Sequence, residues 1–346
     1  MIANRSALAH VFLAANGKAV FSVGLALFVL ALSLGALAQQ ATITSFDPPG
    51  SLQTEPISIN SAGAVTGFYE DATASHGFLR APDGSFTSFD APGGTGTTPM
   101  SINSAGSIAG YYLESQMFHG FLRDPEGNFT TFDPPGSTST MAASLNSAGT
   151  IAGYYTVADH SFHGFVRYPD GTITSFVPAG ATFTRATSIN SAGVITGFYQ
   201  DSAQLYHGFV RATNGAITTF LAESGENCLP ASINSTGEIT GQSGPLNDPR
   251  GFLRAADGTI TLFTPVAPSA GVVPTGLNDA GMIGGFYVAL SAGGHGFIRR
   301  PNGTFTTFGL PDVQFIIPLS INAGGAVTGY YQASVYTTSH GFLLSP

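Results

Sequence analysis

Pro56-Ile57-Ser58-Ile59-Asn60-Ser61-Ala62-Gly63-Ala64-Val65-Thr66-Gly67-Phe68-Tyr69 decides the fold, because its S-I-N-S-A-G core returns along the whole chain. The equivalent asparagines are Asn60, Asn103, Asn146, Asn190, Asn234, Asn278 and Asn322, spaced by 43 or 44 residues. A second marker, H-G-F, begins at His76, His119, His163, His207, His295 and His340, and Arg250-Gly251-Phe252 fills the remaining place. Seven copies of one unit therefore occupy everything after residue 38 of the 346. Internal repetition at this period points to an array of identical supersecondary units.

Each unit parses into four short strands. The S-I-N segment and the V-T-G-F-Y segment flank a tight S-A-G connection. Gly63 at its end can take the positive φ that a hairpin with a G1 bulge requires. H-G-F-L-R (His76 to Arg80) is the third strand, and Pro82-Asp83-Gly84 turns it into the fourth, Ser85 to Phe89. Four strands in 40 to 50 residues is the pattern of a propeller blade. A fourth-type strand, Ile43 to Phe46, precedes the first S-I-N, and the last unit ends at Pro346 without one. The predicted fold is thus all-β, a seven-bladed β-propeller of four-stranded blades over 39–346, closed by the N-terminal strand completing the last blade. The S-I-N strand is innermost. The S-A-G and P-D-G turns share one face, and the long variable connections share the other, where a ligand site is expected.

Residues 1–38 read as a secretory signal peptide: Arg5 and Lys18 precede an apolar run from Val20 to Gly35, and Ala36-Leu37-Ala38 is a small-x-small cleavage site. An uncleaved anchor is the alternative, although the run is shorter than the roughly 20 residues that span a bilayer. Expected localisation is secreted, extracellular or periplasmic, with no stable membrane span after cleavage. The formal net charge of −9 becomes more negative once Arg5 and Lys18 are removed, which excludes nucleic acid as a natural partner. Cys228 is the only cysteine, so no internal disulfide forms, and a small buried side chain is its expected role.

Sevenfold recurrence argues for construction rather than chemistry. The H-G-F histidines, on diverging third strands, cannot share one metal ion, and a hydrogen bond at the start of each strand is their expected use. The recurring Arg80, Arg123, Arg167, Arg211, Arg254 and Arg299 are expected to pair with turn acids such as Asp83 and Asp170 or with backbone carbonyls; a ring of them around an anion is the alternative. Each S-I-N asparagine is expected to make an Asx-type bond into its turn. Inner-strand Ser and Asn are candidates to line a polar central channel. Asp47, Asp90 and Asp133 in F-D-x-P-G segments would hold calcium only with several added oxygens.

The candidate ligand-binding residues are the second-strand aromatics Tyr69, Tyr112, Tyr155, Tyr199, Tyr287 and Tyr331, which end at the variable face and can stack on a sugar or peptide. Unrepeated loop side chains join them: Glu114, Asp159, His160 and Asp248. The unit at 221–252 departs furthest from the pattern, with Gln242-Ser243 in place of the aromatic pair and Arg250 in place of His. No nucleophile elbow, zinc helix, phosphate loop or EF-hand is present, so no catalytic residue, metal or cofactor is predicted.

The H-G-F-L-R, D-G-T-x-T-x-F and I-N-S-A-G-x-I-x-G segments resemble the HAF family of bacterial extracellular repeat proteins, over nearly all of 43–346. The chain carries Gly where the family tripeptide has Ala, as at Gly77 and Gly120, which makes a sister group an alternative to membership. The resemblance implies secretion and a propeller-like fold, with no reaction or catalytic residues to carry over. The leading expectation is a monomeric, non-enzymatic extracellular binding module for a glycan or protein. One alternative is a hydrolase or lyase using loop carboxylates such as Asp159, Glu223, Glu226 or Asp248. The other is a structural surface or matrix protein.

Overall fold

The computed structural model describes residues 42–267, 269–289, 293–334 and 338–346; the expected signal peptide lies outside them. Among the described residues there are 28 strands and no helix, and hence no helix long and apolar enough to cross a membrane. The first complete repeat comprises Gln53–Ile59, Val65–Glu70, Ser75–Arg80 and Phe86–Phe89, each antiparallel to the next. The other repeats follow the same order. The N-terminal strand Thr42–Phe46 pairs antiparallel with the C-terminal strand His340–Ser345, in register from Thr42↔Ser345 to Phe46↔Gly341.

Glycine placement explains how four strands pack so closely. Gly63 has φ +86° in the expected turn, where its N–H donates to the Asn60 carbonyl at 3.0 Å and Asn60 N–H to the Ala64 carbonyl at 3.0 Å. Gly67 lies opposite a bulge between Pro56 and Ser58, and a Cβ there would strike the Glu55 carbonyl. The glycine of each H-G-F lies under the ring of the fourth-strand phenylalanine. A Cβ on Gly77, Gly120, Gly164, Gly208, Gly251, Gly296 or Gly341 would sit under 3.0 Å from Phe89, Phe132, Phe176, Phe220, Phe263, Phe308 or Phe46. An alanine cannot occupy this place without moving the ring, which is the physical reason for H-G-F over H-A-F in this chain.

The core lies between successive repeats. The H-G-F phenylalanines, from Phe78 to Phe342, are fully buried, as are Val65, Ile108, Ile151, Ile195, Ile239, Ile283 and Val327. Phe46, from the strand that precedes the first repeat, packs with Ile59, Val65 and Phe78, and Phe89 packs with Ile102, Ile108 and Phe121 of the following repeat. Full burial of such side chains contributes roughly 1.5–3 kcal/mol each. The recurring arginines seal the same seam. Arg80, Arg123, Arg167, Arg211, Arg254 and Arg299 place their guanidinium carbons 4.8–5.2 Å from the rings of Phe46, Phe89, Phe132, Phe176, Phe220 and Phe263. Of the two expected partners, the backbone carbonyl is met by a long bond from Nη1, as from Arg80 to Ala81 at 3.5 Å, whereas the turn acids Asp83 and Asp170 form no ion pair with them and the ring of the preceding repeat takes the face of the guanidinium.

Cys228 is wholly buried against Ile233, Ile239 and Phe252, and burial pushes its thiol up to about 12. A thiol reagent such as dithionitrobenzoate is therefore expected to leave the folded protein unmodified at pH 8 and to react once it is unfolded in guanidinium. Gly164→Ala is expected to destabilise by about 1–3 kcal/mol through overpacking against Phe176, read as a lower urea midpoint. Adding Phe176→Leu should recover part of that loss; an unchanged midpoint in Gly164→Ala would remove the steric account of the H-G-F glycine.

Candidate binding site

The bulge in each first strand determines what faces inward. By setting two residues against one, a bulge re-aims side chains. Here Ile57 and Ser58, Met100 and Ser101, Ala143 and Ser144, Thr187 and Ser188, Ala231 and Ser232, Thr275 and Gly276, and Leu319 and Ser320 all line one cavity of about 560 Å³. The first strands of all seven sequence repeats thus converge on a single space. A second cavity of about 320 Å³ lies on the S-A-G turn side and shares Ser101, Leu277 and Ile321 with the first.

The serines do structural work as well. Six accept a backbone N–H from a neighbouring repeat at 3.1–3.3 Å, as Ser58 Oγ does from Ile102 and Ser320 Oγ from Ile59. Gly276 stands at the seventh position and offers no hydroxyl. The asparagines are buried and fully engaged. Asn60 Oδ1 accepts from Ala62 and Ala64 N–H at 3.1 and 3.0 Å, the expected Asx bond, while its Nδ2 donates to the Asn103 carbonyl of the next repeat at 3.1 Å.

The histidines each meet the second-strand tyrosine of their own repeat, with centroids 5.0–5.5 Å apart. Most also bond a nearby polar group. His76 Nδ1 contacts Asp90 at 3.0 Å, His119 meets Asp133 at 2.8 Å, His340 meets Asp47 at 2.8 Å, and His207 meets Asp201 at 2.8 Å. Asp47, Asp90 and Asp133 are thereby used as histidine partners. Among the described residues no group of three or more His, Cys, Asp or Glu side chains is arranged to hold a metal ion.

The proposed tyrosine platform moves by one residue. Tyr69, Tyr112, Tyr155, Tyr199 and Tyr287 are 5–8% exposed and Tyr331 is half-buried. Each has its histidine neighbour, and Tyr69, Tyr155 and Tyr331 bond Ser88, Ser175 and Ser45 of the fourth-type strand. Five of the six rings are thus packed inside the protein, and Tyr331 keeps part of its surface accessible. The preceding residues, Phe68, Tyr111, Tyr154, Phe198, Gln242, Phe286 and Tyr330, are the more exposed set, and Tyr154, Phe198 and Gln242 line the large cavity. Burial raises the hydroxyls of Tyr111, Tyr154 and Tyr330 above the ordinary phenol range. Glu55, half-buried at the register position opposite Phe68, is likewise raised, first by burial and then by Glu70.

The four loop candidates belong to three different repeats. Glu114 is half-buried beside a two-residue turn at Ser115 and Gln116, both with positive φ. Asp159 and His160 are exposed, and Asp159 is held below the usual carboxylate range by its bonds to Ser161. Asp248 is exposed on the irregular loop before Arg250, whose guanidinium pairs with Glu223. The residue that sequence reading underweighted is Arg185. The sequence groups it with the unrepeated side chains of the variable connections; it lies instead in the strand Phe183–Ile189, one residue before the Ala186/Ser188 bulge, on the cavity wall.

No protein-family model and no curated protein matches the chain. Solved structures do. A catalytically inactive virginiamycin B lyase from Staphylococcus aureus with quinupristin aligns at TM-score 0.60 and 15% identity, over 89% of this chain and 100% of that one. TolB from Acinetobacter baumannii aligns at 0.53 and 14%, over 71% and 63%. A prolyl endopeptidase structure aligns at 0.61 and 10%, over 82% and 47%. At these identities the likeness defines an all-β, propeller-like fold, shared by enzymes and by proteins of other kinds.

His76 gives a direct test of the histidine–aspartate pairs. Burial pulls its titration down, but Asp90 and Asp71 outweigh it and raise the ring above its ordinary 6.5. A raised folded value means that the pair's contribution to stability is complete below about pH 6.5 and is lost as pH rises through the folded value. Asp90→Asn is expected to lower the His76 midpoint in an NMR titration; an unmoved midpoint would show that the pair is not formed in solution.

Proposed function

We propose that this chain is a closed seven-bladed β-propeller that works outside the cytoplasm as a non-enzymatic binding module, its ligand seated in the cavity lined by the seven first strands. Ring closure is supported by the pairing of Thr42–Phe46 with His340–Ser345 and by the bond from Asn322 Nδ2 to the Asn60 carbonyl at 3.1 Å. Export rests on the apolar run and small-x-small site ahead of residue 39, and the repeat motifs support a sister group of the HAF proteins.

One observation carries the binding reading. The recurring polar side chains are already engaged within the protein, and the side chains that differ from repeat to repeat face a cavity of about 560 Å³, within the range of ligand pockets. A glycan residue or a protein segment is the matching scale of ligand. The enzymatic alternative lacks a comparable support: none of Asp159, Glu223, Glu226 and Asp248 lines that cavity, and Glu223 is tied to Arg250.

The test is binding by the folded protein to arrays of glycans and cell-envelope peptides, followed by Ala231→Trp to fill the cavity. Ala231→Trp is expected to weaken the captured ligand at least about tenfold, the equivalent of ~1.4 kcal/mol, while Asp248→Ala leaves it unchanged. Binding that survives Ala231→Trp, or turnover of a ligand, would overturn the reading.

A further inference from the structure

Nine arginines fall within the described residues, and eight have an acceptor. Six stack on phenylalanine and donate to the next backbone carbonyl. Arg250 pairs with Glu223, and Arg300 donates to Thr306 Oγ1 at 2.6 Å. Arg185 alone has none: its Nε is buried without a partner, as in the six stacking arginines, but unlike theirs its Nη atoms have no acceptor among the described residues either. It lines the large cavity.

Its guanidinium is held by rings. The carbon lies 4.7 Å from the Tyr154 centroid, 4.8 Å from Phe183 and 5.4 Å from Phe162. Cation–π contacts orient the plane but accept no N–H bond. A half-buried guanidinium with unmet donors is costly unless something supplies oxygen acceptors, and its fork matches a carboxylate bidentately. This arrangement belongs to the fourth repeat alone, since the same strand position carries Glu55, Thr98, Met141, Leu229, Val273 and Ile317 elsewhere.

We infer that the cavity binds a single carboxylate borne on an apolar body, with the carboxylate on Arg185 and the body against Leu229, Val273 and Leu319. The inference rests on reading the cavity as the binding site. Arg185 is the one cation among the cavity-lining residues, and the chain carries a formal charge of −9, so a polyanion is disfavoured. Each wall serine spends one acceptor site on a backbone N–H and keeps its O–H, but Ile57, Met100, Leu229, Val273 and Leu319 set apolar surface beside them, which favours an apolar body over a polyhydroxyl ring. The chemistry that remains is that of an aryl or alkyl carboxylic acid, either free or as the C-terminal residue of an apolar peptide.

Isothermal titration of the full chain separates these sources. The probes are phenylbutyrate with its amide, acetyl-dialanyl-phenylalanine with its C-terminal amide, and glucuronate. At least one acid is expected to bind about tenfold or more tighter than its amide. Arg185→Met should erase that preference with the circular dichroism spectrum unchanged, and Arg185→Lys should keep part of it. Preference for phenylbutyrate alone assigns a free acid; preference for the peptide acid assigns a C-terminus. Equal binding of acid and amide, an Arg185→Met affinity equal to the parent, tighter binding of glucuronate, or no binding of any probe overturns the inference. If acid and amide bind equally and Ala231→Trp abolishes both, the cavity reading stands and only the carboxylate falls. If probes bind and Ala231→Trp leaves them bound, the cavity reading falls with it.

Discussion

One hydrogen bond, made seven times, links the architecture: the side-chain amide of each S-I-N asparagine donates to the backbone carbonyl of the next repeat's asparagine. The seven distances span 2.9–3.3 Å, and the last bond, from Asn322, returns to Asn60. The same side chain's oxygen caps its own turn, so one amide joins a local hairpin to a remote neighbour. Only asparagine satisfies both halves. Aspartate would bring a carboxylate against a carbonyl, and glutamine is a methylene too long for the Asx geometry. A net contribution of about 0.5–1.5 kcal/mol per bond is modest, but an orphaned buried amide or carbonyl costs about 1–3 kcal/mol, so the circuit specifies the arrangement more than it stabilises it.

Around that circuit the recurring side chains divide into two layers of contact. Near the turns, arginine lies over the phenylalanine of the preceding repeat. Toward the variable connections, tyrosine packs on histidine, and His76, His119 and His340 reach the aspartate that follows a fourth-type strand. The exceptions follow the same logic. Leu344 takes the arginine position of the last repeat and is 4% exposed, keeping the seam apolar where the cation is missing. Cys228 occupies the position of Thr54 and Val272, all buried, where a small side chain suffices. In both cases the chemistry changes and the packing survives, as expected for residues whose duty is mechanical.

Much of this was legible in the sequence because the repeat makes its own alignment. Seven S-I-N asparagines, a leading fourth-type strand and Gly63 at the turn were sufficient for the strand order and for the pairing of Thr42–Phe46 with the C-terminal strand. The site was less legible because of a parity problem. Side chains alternate along a strand, so adjacent aromatics such as Tyr154 and Tyr155 face opposite ways, and nothing in the dipeptide says which is outward. The bulge after Pro56 adds a second break in alternation, turning both Ile57 and Ser58 toward the cavity. The arginine–phenylalanine stacks escaped for another reason: their partners lie in the preceding repeat, and a single unit shows only its own acids.

A ring of seven equal units would surround its axis with equal walls, and equal walls cannot hold an unsymmetrical ligand in one orientation. This chain breaks the equality on consecutive repeats. Arg185 in the fourth, Gln242 in the fifth and Gly276 in the sixth replace the residue types found at their positions elsewhere, and all three line the same cavity. Gly276 removes a serine hydroxyl, and Ile321 packs closely against it, since an added Cβ would lie 3.2 Å from both its Cγ2 and its backbone nitrogen. Gln242 substitutes an amide for an aromatic ring next to the guanidinium-bearing repeat. Substitutions also reach the seam, at Leu344 and Cys228, but there the replacement stays buried and the packing is kept, whereas the wall changes alter what the cavity presents. The asparagine circuit and the buried phenylalanines are kept in every repeat, and the three wall changes give the cavity one charged side, one amide and one position without a hydroxyl against an otherwise aliphatic, aromatic and hydroxyl-lined surface.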